Sequence, residues 1–492
     1  MKKSKTAGKK IVSKKIKKAR PTEVVPPNKG IAPAGDVGLA EAGKRTRTVP
    51  LLRGMKDILP REGAVWLRMH ETAARIAQAY GFSYMETPVL EEAALFIRSI
   101  GRGTDVVEKE MYVFEDRDST KVGLRPEFTA GVARSYIGHG LHTMPQPVRA
   151  WLYGPLFRHD RPQAGRFREF HQFNCEILGE RDPILDAEMI TVAYNFLRDL
   201  GLATRVDVNS IGTREDRERY IVELVSYLRT KRSYLCEDCK RRMVKNPLRV
   251  LDCKEPACAV VIETAPQIID WLSDASKNYF MKVLEYLDEL SIPYLLRPTL
   301  VRGLDYYTDT VFEIYPEIET TAPAAEELPA SSPDEASGAA AIGAQSALGG
   351  GGRYDLLVEQ IGGRPTPACG FAIGLERVAT LLKRDTSPKE KEGAQTRKIY
   401  LAQLGEQARR RALCIVEDLR RSGIFITHDL SKSSLKTQLE LANKNGSSHT
   451  LIIGQKEVQD GTIIVRDMES GIQEIIDQRK VLSEVEKILK TV

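Results

Sequence analysis

The sequence predicts an α+β protein: an antiparallel-sheet body with a helical insertion, followed by a smaller C-terminal α/β domain. Three observations predict it. The runs 148–158 and 167–179 read as two long strands joined by the short loop Arg161–Arg166, which makes them an antiparallel pair. Residues 214–290 are charged, helical in pattern and poor in turn signals, and they hold four of the seven cysteines. From 397 to 492, apolar strands alternate with helical stretches, the pattern of a small α/β unit.

The elements follow in order. Residues 1–20 hold ten Lys or Arg and no acid, so the net charge of +6 belongs to this segment; the rest of the chain has 63 basic against 67 acidic side chains. With the Pro/Gly/Ala stretch after it, 1–46 reads as a disordered basic tail, either an auxiliary RNA-binding arm or a solvated leader. It lacks the continuous apolar stretch of a secretory signal. From Pro60 to Tyr80 apolar residues recur at helical spacing until Gly81 stops them. FSYMETPVL is extended, with Pro88 at an edge or interface. Residues 121–136 give a short strand, a turn at Arg125-Pro126 and a helix. After the long pair come a strand at 204–210, the insertion, and strands near Tyr294 and 311–315. The low-complexity segment 316–347 reads as a disordered insert. A glycine run at 349–352, a strand at 368–374 and a helix from Leu375 close the body at about 386. In the last unit, strands at IYLAQL, IFITHDL, HTLIIG and TIIVRDM alternate with helices at 406–421, 434–444 and 480–490.

No apolar run approaches the roughly 20 residues that cross a bilayer. Seven cysteines in 492 residues do not form a disulfide framework, which points to a cytoplasmic protein.

Side chains alternate faces along a strand. In FREFHQFNCEILG one face takes Arg168, Phe170, Gln172, Asn174 and Glu176; the other takes Phe167, His171, Phe173, Cys175 and Ile177 and reads as core. The polar face is either solvent-exposed or the floor of a polar pocket. Arg158, Arg161 and Arg166 flank it. Arginine forks neutralise phosphate oxygens and an aromatic ring stacks on a base, so this cluster suits a bent nucleotide triphosphate. Surface arginines are the plainer reading. LVRGLDYYTD sets Arg302 beside Tyr306 and Tyr307, and ACGFAIGLERV carries Arg377 into the first turn of a helix, a ready anion site.

LRPEFTAGVAR, YGPLFRHDRPQAGRFREFHQFNCEILG, LVRGLDYYTDTVFE and GGGGRYDLLVEQIGG…GFAIGLERV resemble the signature segments of histidyl-tRNA synthetases. GMKDILP with its helix and YGFSYMETPVLEE are similar to the first class II synthetase motif, at the dimer interface. The likeness covers about 50–386 apart from the 316–347 insert, and 397–492 resembles the family's anticodon-binding fold. It implies a class II catalytic domain at 47–386 with its insertion at about 214–290, an anticodon-binding domain at 397–492, and a homodimer. The activity implied is ATP-dependent ligation of L-histidine to tRNA(His) through a histidyl-adenylate, with Mg²⁺ on the outer phosphates.

By the same resemblance, Arg158 holds the α-phosphate and Arg302 is the catalytic arginine opposite it. Arg166 and Arg377 hold the outer phosphates, and Phe170 stacks on adenine. Glu127, Phe128, Thr129 and Gln172 match the positions around the histidine α-amino group. Glu176 and Tyr307, with Tyr306 adjacent, match those reading the imidazole. The plainer reading of Glu127 and Glu176 is a pair of ordinary ion-paired carboxylates.

Cys236-x₂-Cys239 and Cys253-x₄-Cys258 have the spacing of a Cys₄ structural zinc knuckle; the alternative is four unbonded thiols. Cys175, Cys369 and Cys414 lie in apolar contexts and read as packing residues, and His171 as structural. Two other functions compete: the regulatory paralogue of the histidine-biosynthetic phosphoribosyltransferase, and a threonyl- or prolyl-type synthetase. Retention of Arg158, Arg302, Arg377 and the C-terminal unit argues against the first, and the tyrosine pair with Glu176 against the second.

Overall fold

A computed structural model of the chain describes residues 49–101, 104–160, 166–317, 347–385 and 397–490. The basic tail 1–46, Arg161 and nearly all of the 316–347 insert lie outside them. The segment up to Leu51 is a separate unit, and everything below belongs to the unit from Leu52 onward.

The strands in chain order are β1 (Ser83–Tyr84), β2 (Leu90–Glu92), β3 (Val113–Glu115), β4 (Lys121–Leu124), β5 (Val148–Phe157), β6 (Glu169–Leu178), β7 (Thr204–Ser210), β8 (Tyr294–Leu296), β9 (Thr308–Pro316), β10 (Gly349–Arg353), β11 (Ala368–Gly374), β12 (Lys398–Gln403), β13 (Thr427–His428), β14 (Ser447–Ile453), β15 (Thr462–Asp467) and β16 (Gln473–Asp477). The main sheet runs β1-β5-β6-β11-β10-β9-β7-β8. It is antiparallel through its centre and parallel only at its two edges, where β1 meets β5 and β7 meets β8. A small antiparallel sheet, β2-β4-β3, stands apart from it.

One face of the main sheet packs on a layer of helices that includes Pro60–Ala79 and Pro183–Asp199. Pro60–Ala79 starts with proline at its first position and buries Met69, Ala73, Ile76 and Ala77. Pro183–Asp199 is capped by Asp182, whose carboxylate accepts from the Ile184 amide at 3.0 Å. Both bury their apolar stripes against Phe173, Cys175, Ile177 and Phe371 in one core. This leaves the opposite face of β6 free for polar groups. The helix Asp274–Glu289, which the sequence pattern places in the insertion, joins the core under the main sheet through Phe280, Val283, Leu284 and Leu287. The insertion carries helices Arg214–Thr230, Glu237–Lys245 and Pro256–Glu263, the first opened by a Thr213/Asp216 capping box. Its thiols Cys239 and Cys258 share a second core with Tyr306, Tyr307 and Tyr354.

In the last unit the order β13-β12-β14-β15-β16 is parallel on one side and antiparallel on the other. The strand expected at IFITHDL shrinks to two residues, while β16 and the short helix Gln455–Asp460 go beyond the sequence pattern. Cys414 is exposed, contrary to its reading as a packing residue. The helix Glu406–Arg421 buries Ala408, Ala412, Ile415 and Leu419, and position 414 falls off that stripe. The glycine run, which on its own suggests a turn, is a central strand: β10 pairs with β9 and β11 on its two sides.

Candidate active site

The floor of the site is β6. Phe170, Gln172, Asn174 and Glu176 face a cavity of about 650 Å³. Of the two readings of this polar face, the structure has the pocket floor. The alternation fails at its start, however. Residues 166–168 precede the ladder, and the Arg168 amide donates to Gly54 O at 2.7 Å while its side chain reaches Arg53 O at 3.3 Å. Arg168 is thereby drawn off, and Phe167 lines the cavity instead. On the opposite face Phe173, Cys175 and Ile177 are buried. His171 Nδ1 lies 3.0 Å from Glu376 Oε1, and its ring stands edge-on to Trp66 at 5.1 Å, a structural arrangement.

Arg158, Arg166, Arg302 and Arg377 all line this one cavity. Arg158 leaves the end of β5, donates to Pro126 O at 2.9 Å and lies 5.4 Å from the Phe170 ring centroid. Arg302 donates to the Glu313 carboxylate and stands over Tyr307 at 5.7 Å. Burial disfavours its charge, but Glu313 and then Tyr307 outweigh burial and hold its pKa above the ordinary value. Arg377 donates to Ala347 O from the first turn of the helix Leu375–Asp385. Burial lowers the pKa of both Arg158 and Arg377, and the like charge of Arg166 adds to the lowering in each. Guanidiniums held close enough to repel one another favour an anion between them.

The remaining wall is acidic and phenolic. Glu127 accepts from the amides of Thr129 (2.9 Å) and Ala130 (2.8 Å) at the start of the helix Thr129–Gly138. Tyr306 Oη donates to the same carboxylate at 3.4 Å. Thr129 Oγ1 donates to Glu176 Oε1 at 2.7 Å, and Tyr354 Oη donates to Glu176 Oε2. Among the described residues neither acid forms an ion pair, so the plainer reading does not describe them. Burial raises the pKa of Glu127 and pushes Glu176 up to about 8. Asn174 Oδ1 and Arg302 Nε are buried with no hydrogen-bond partner among the described residues. Orphaned groups of this kind in a polar cavity are suited to a polar ligand.

Phe128 is the candidate the cavity leaves out. Its ring is 2% exposed, packs in the core and lies 4.6 Å from the Arg125 guanidinium. Sequence reasoning missed Tyr354, and it missed why the neighbouring strands are glycine-rich. A Cβ at Gly350 would stand 2.8 Å from Arg302 Nη1, and one at Gly370 would collide with the Glu176 carboxylate. The signal was available: glycines inside a strand mark close approach of a ligand or another group.

The sulfurs of Cys236, Cys239, Cys253 and Cys258 lie within 4.8 Å of one another. Cys236 Sγ and Cys253 Sγ are 3.8 Å apart, close to the edge of a tetrahedron with metal–sulfur bonds of about 2.3 Å.

A family model described as histidyl-tRNA synthetase matches residues 54–214, and an anticodon binding domain model matches 398–488. The histidine–tRNA ligase of Dehalococcoides mccartyi is 42% identical over 438 residues, covering 88% of this chain and 98% of the relative. That of Halothermothrix orenii is 43% identical over 439 residues, covering 89% and 99%. The structure of S. aureus histidyl-tRNA synthetase aligns with a TM-score of 0.69 at 31% identity, over 90% of this chain and 100% of that one. With a class II catalytic body, an anticodon-binding domain and this extent of identity, the chain belongs to the histidine–tRNA ligase family.

Proposed function

We propose a division of labour within this cavity for the ATP-dependent ligation of L-histidine to tRNA(His). In the first step a histidine carboxylate oxygen attacks the α-phosphorus of ATP, the bond to the β-phosphate oxygen breaks, and pyrophosphate leaves. In the second, a terminal ribose hydroxyl of tRNA attacks the adenylate carbonyl, loses its proton and releases AMP. Charge builds on the α-phosphate in the first step, so positioning and electrostatic stabilisation carry the catalysis.

Arg158 and Arg302 grip the α-phosphate from opposing sides. Arg166 and Arg377 take the outer phosphates, and Phe170 stacks on adenine. Glu127, Thr129 and Gln172 receive the α-ammonium group, to which Phe128 contributes backbone only. Glu176, Tyr306 and Tyr307 read the imidazole, with Tyr354 orienting Glu176. A site whose buried polar groups need both ring nitrogens rejects apolar analogues by about 10⁴-fold.

Mg²⁺ accompanies the ATP. Among the described residues the four thiols are the only group of three or more candidate ligands, and Mg²⁺ prefers oxygen. The ion would therefore enter on phosphate oxygens rather than in a protein cage. The four cysteines would hold Zn²⁺, the divalent ion that suits a tetrahedral thiolate set. Exposed Tyr84, Val89, Leu90, Val113 and Phe114, on and beside β1 and the small sheet, support a homodimer interface. The 397–492 domain would bind the anticodon end of the tRNA. No helix among the described residues is long and apolar enough to cross a membrane. The free cysteines fit a cytoplasmic setting.

The observation that carries this reading is the convergence of four arginines and two buried acids on one cavity. ATP–pyrophosphate exchange with each of the twenty amino acids tests it. Exchange dependent on histidine alone is expected; exchange with none, or with a different amino acid, would overturn it.

A further inference from the structure

The thiol cluster and the catalytic arginine share a wall. Cys236 and Cys253 line the same cavity as Arg302, as do Arg242 and Arg249 from the segment between the two cysteine pairs. That segment, the helix Glu237–Lys245 and the turn Pro247–Val250, is short and tied back at both ends to the cysteines. From it Asn246 Nδ2 donates to Asp305 Oδ1 at 2.7 Å, three residues past Arg302. Arg249 packs so closely over Gly303 that a Cβ there would stand 2.9 Å from its Nη1. On the other side Arg242 and Arg249 reach Asp105 Oδ2 at 3.4 and 3.7 Å, and Lys245 reaches Glu108 at 3.2 Å. The cysteine-bracketed segment therefore sits between two strips of the cavity wall and bonds to both.

We propose that a Zn²⁺-class ion on Cys236, Cys239, Cys253 and Cys258 is a positioning element for adenylation, holding Asn246 and Arg249 against the 302–307 segment so that Arg302 keeps its aim. The proposal rests on the zinc reading above and adds the coupling to the site. The physical ground is leverage. The segment is short and buries Met243, Val250 and Leu251 on one side, and four metal–sulfur bonds at its two ends would fix the geometry that those contacts leave free. Asn246 is a positioning residue: it touches Asp305, not substrate. Its loss would disturb the transition-state contact of Arg302 while leaving the histidine-reading wall, which Arg217 also anchors through Tyr307 O at 2.8 Å, in place.

The test uses the full-length protein in three measurements. Metal analysis reads the site itself: about one zinc per chain is expected, and none would sink the zinc reading and this proposal with it. Hydrogen exchange at 301–307 is then compared with and without a thiol-competitive chelator, alongside pyrophosphate exchange. Removal of the ion should speed amide exchange in that segment and lower kcat at least tenfold. Because stripped protein can lose the insertion's fold altogether, Asn246→Ala is the second variant. It should retain zinc, lower kcat about three- to tenfold and leave the KM for histidine within about twofold. Zinc present, with kcat and 301–307 exchange unchanged both on chelation and in Asn246→Ala, would overturn the coupling while leaving the metal site standing.

Discussion

The two walls of the cavity bind by opposite physics. The arginine wall keeps its charge: Arg302 is held cationic by Glu313, and Arg158 and Arg377 stay charged although burial and Arg166 work against them. The histidine wall suppresses charge. Glu127 and Glu176 are buried among phenols and amides, and burial pushes Glu176 up to about 8, which favours its protonated form in the free site. On the proposed division of labour, the first wall meets a polyanion whose charge grows in the transition state. The second meets a small ring that must be told from other side chains by hydrogen-bond direction. Strong fields serve rate, and directional hydrogen bonds serve selection.

The comparison predicts that damage to the first wall falls on turnover and damage to the second on histidine recognition. The largest effect should come from Arg302→Ala: a loss of about 10²-fold or more in the rate of adenylate formation, with the KM for histidine within a few-fold, read by single-turnover kinetics. An equal loss in histidine affinity would erase the distinction between the walls.

Glu176→Gln should raise the KM for histidine by roughly tenfold or more, with a smaller change in kcat. It should also alter the pH profile. Below about 8 Glu176 carries a proton, and above about 6.5 the free imidazole does not, so the complex holds one proton shared between them. The kcat/KM for histidine should therefore peak between those values. It falls at lower pH as the ring protonates, and at higher pH as Glu176 ionises. Glutamine at 176 should remove the upper limb near 8; its persistence would assign that limb to another group.

Tyr354→Phe removes one hydrogen bond to Glu176 without touching the phosphates, and should raise the KM for histidine about fivefold. Deleting residues 1–20 should do least. Adenylation should be unchanged, and tRNA binding should weaken only at low salt, where ten cationic side chains matter. A fall in pyrophosphate exchange after that deletion would tie the basic segment to the chemistry.

Much of this division was legible in the sequence, for identifiable reasons. The period-2 pattern of β6 separated its buried face from its polar one, because one face packs on a layer of helices and must be apolar. It misplaced Arg168 and Phe167, because periodicity assumes a ladder and those residues precede it. Arg158, Arg302 and Arg377 could be gathered only through the family resemblance, since they are brought together by sheet order β5-β6-β11-β10-β9, which no local pattern encodes. Tyr354 was invisible for the same reason. It follows a glycine strand in which Gly350 leaves room for Arg302, a role that depends on what lies beside the strand in space. Cys414 shows the limit of reading burial from composition: apolar neighbours in sequence are not neighbours on a helix.

The claim that two arginines act on one phosphorus is tested most directly by a double-mutant cycle on single-turnover adenylation, with Arg158→Ala, Arg302→Ala and the double variant. If both guanidiniums stabilise the same developing charge, each single loss should be about 10²-fold and the double loss far smaller than their product. Losses that simply multiply would mean that the two residues act independently, and would contradict the account.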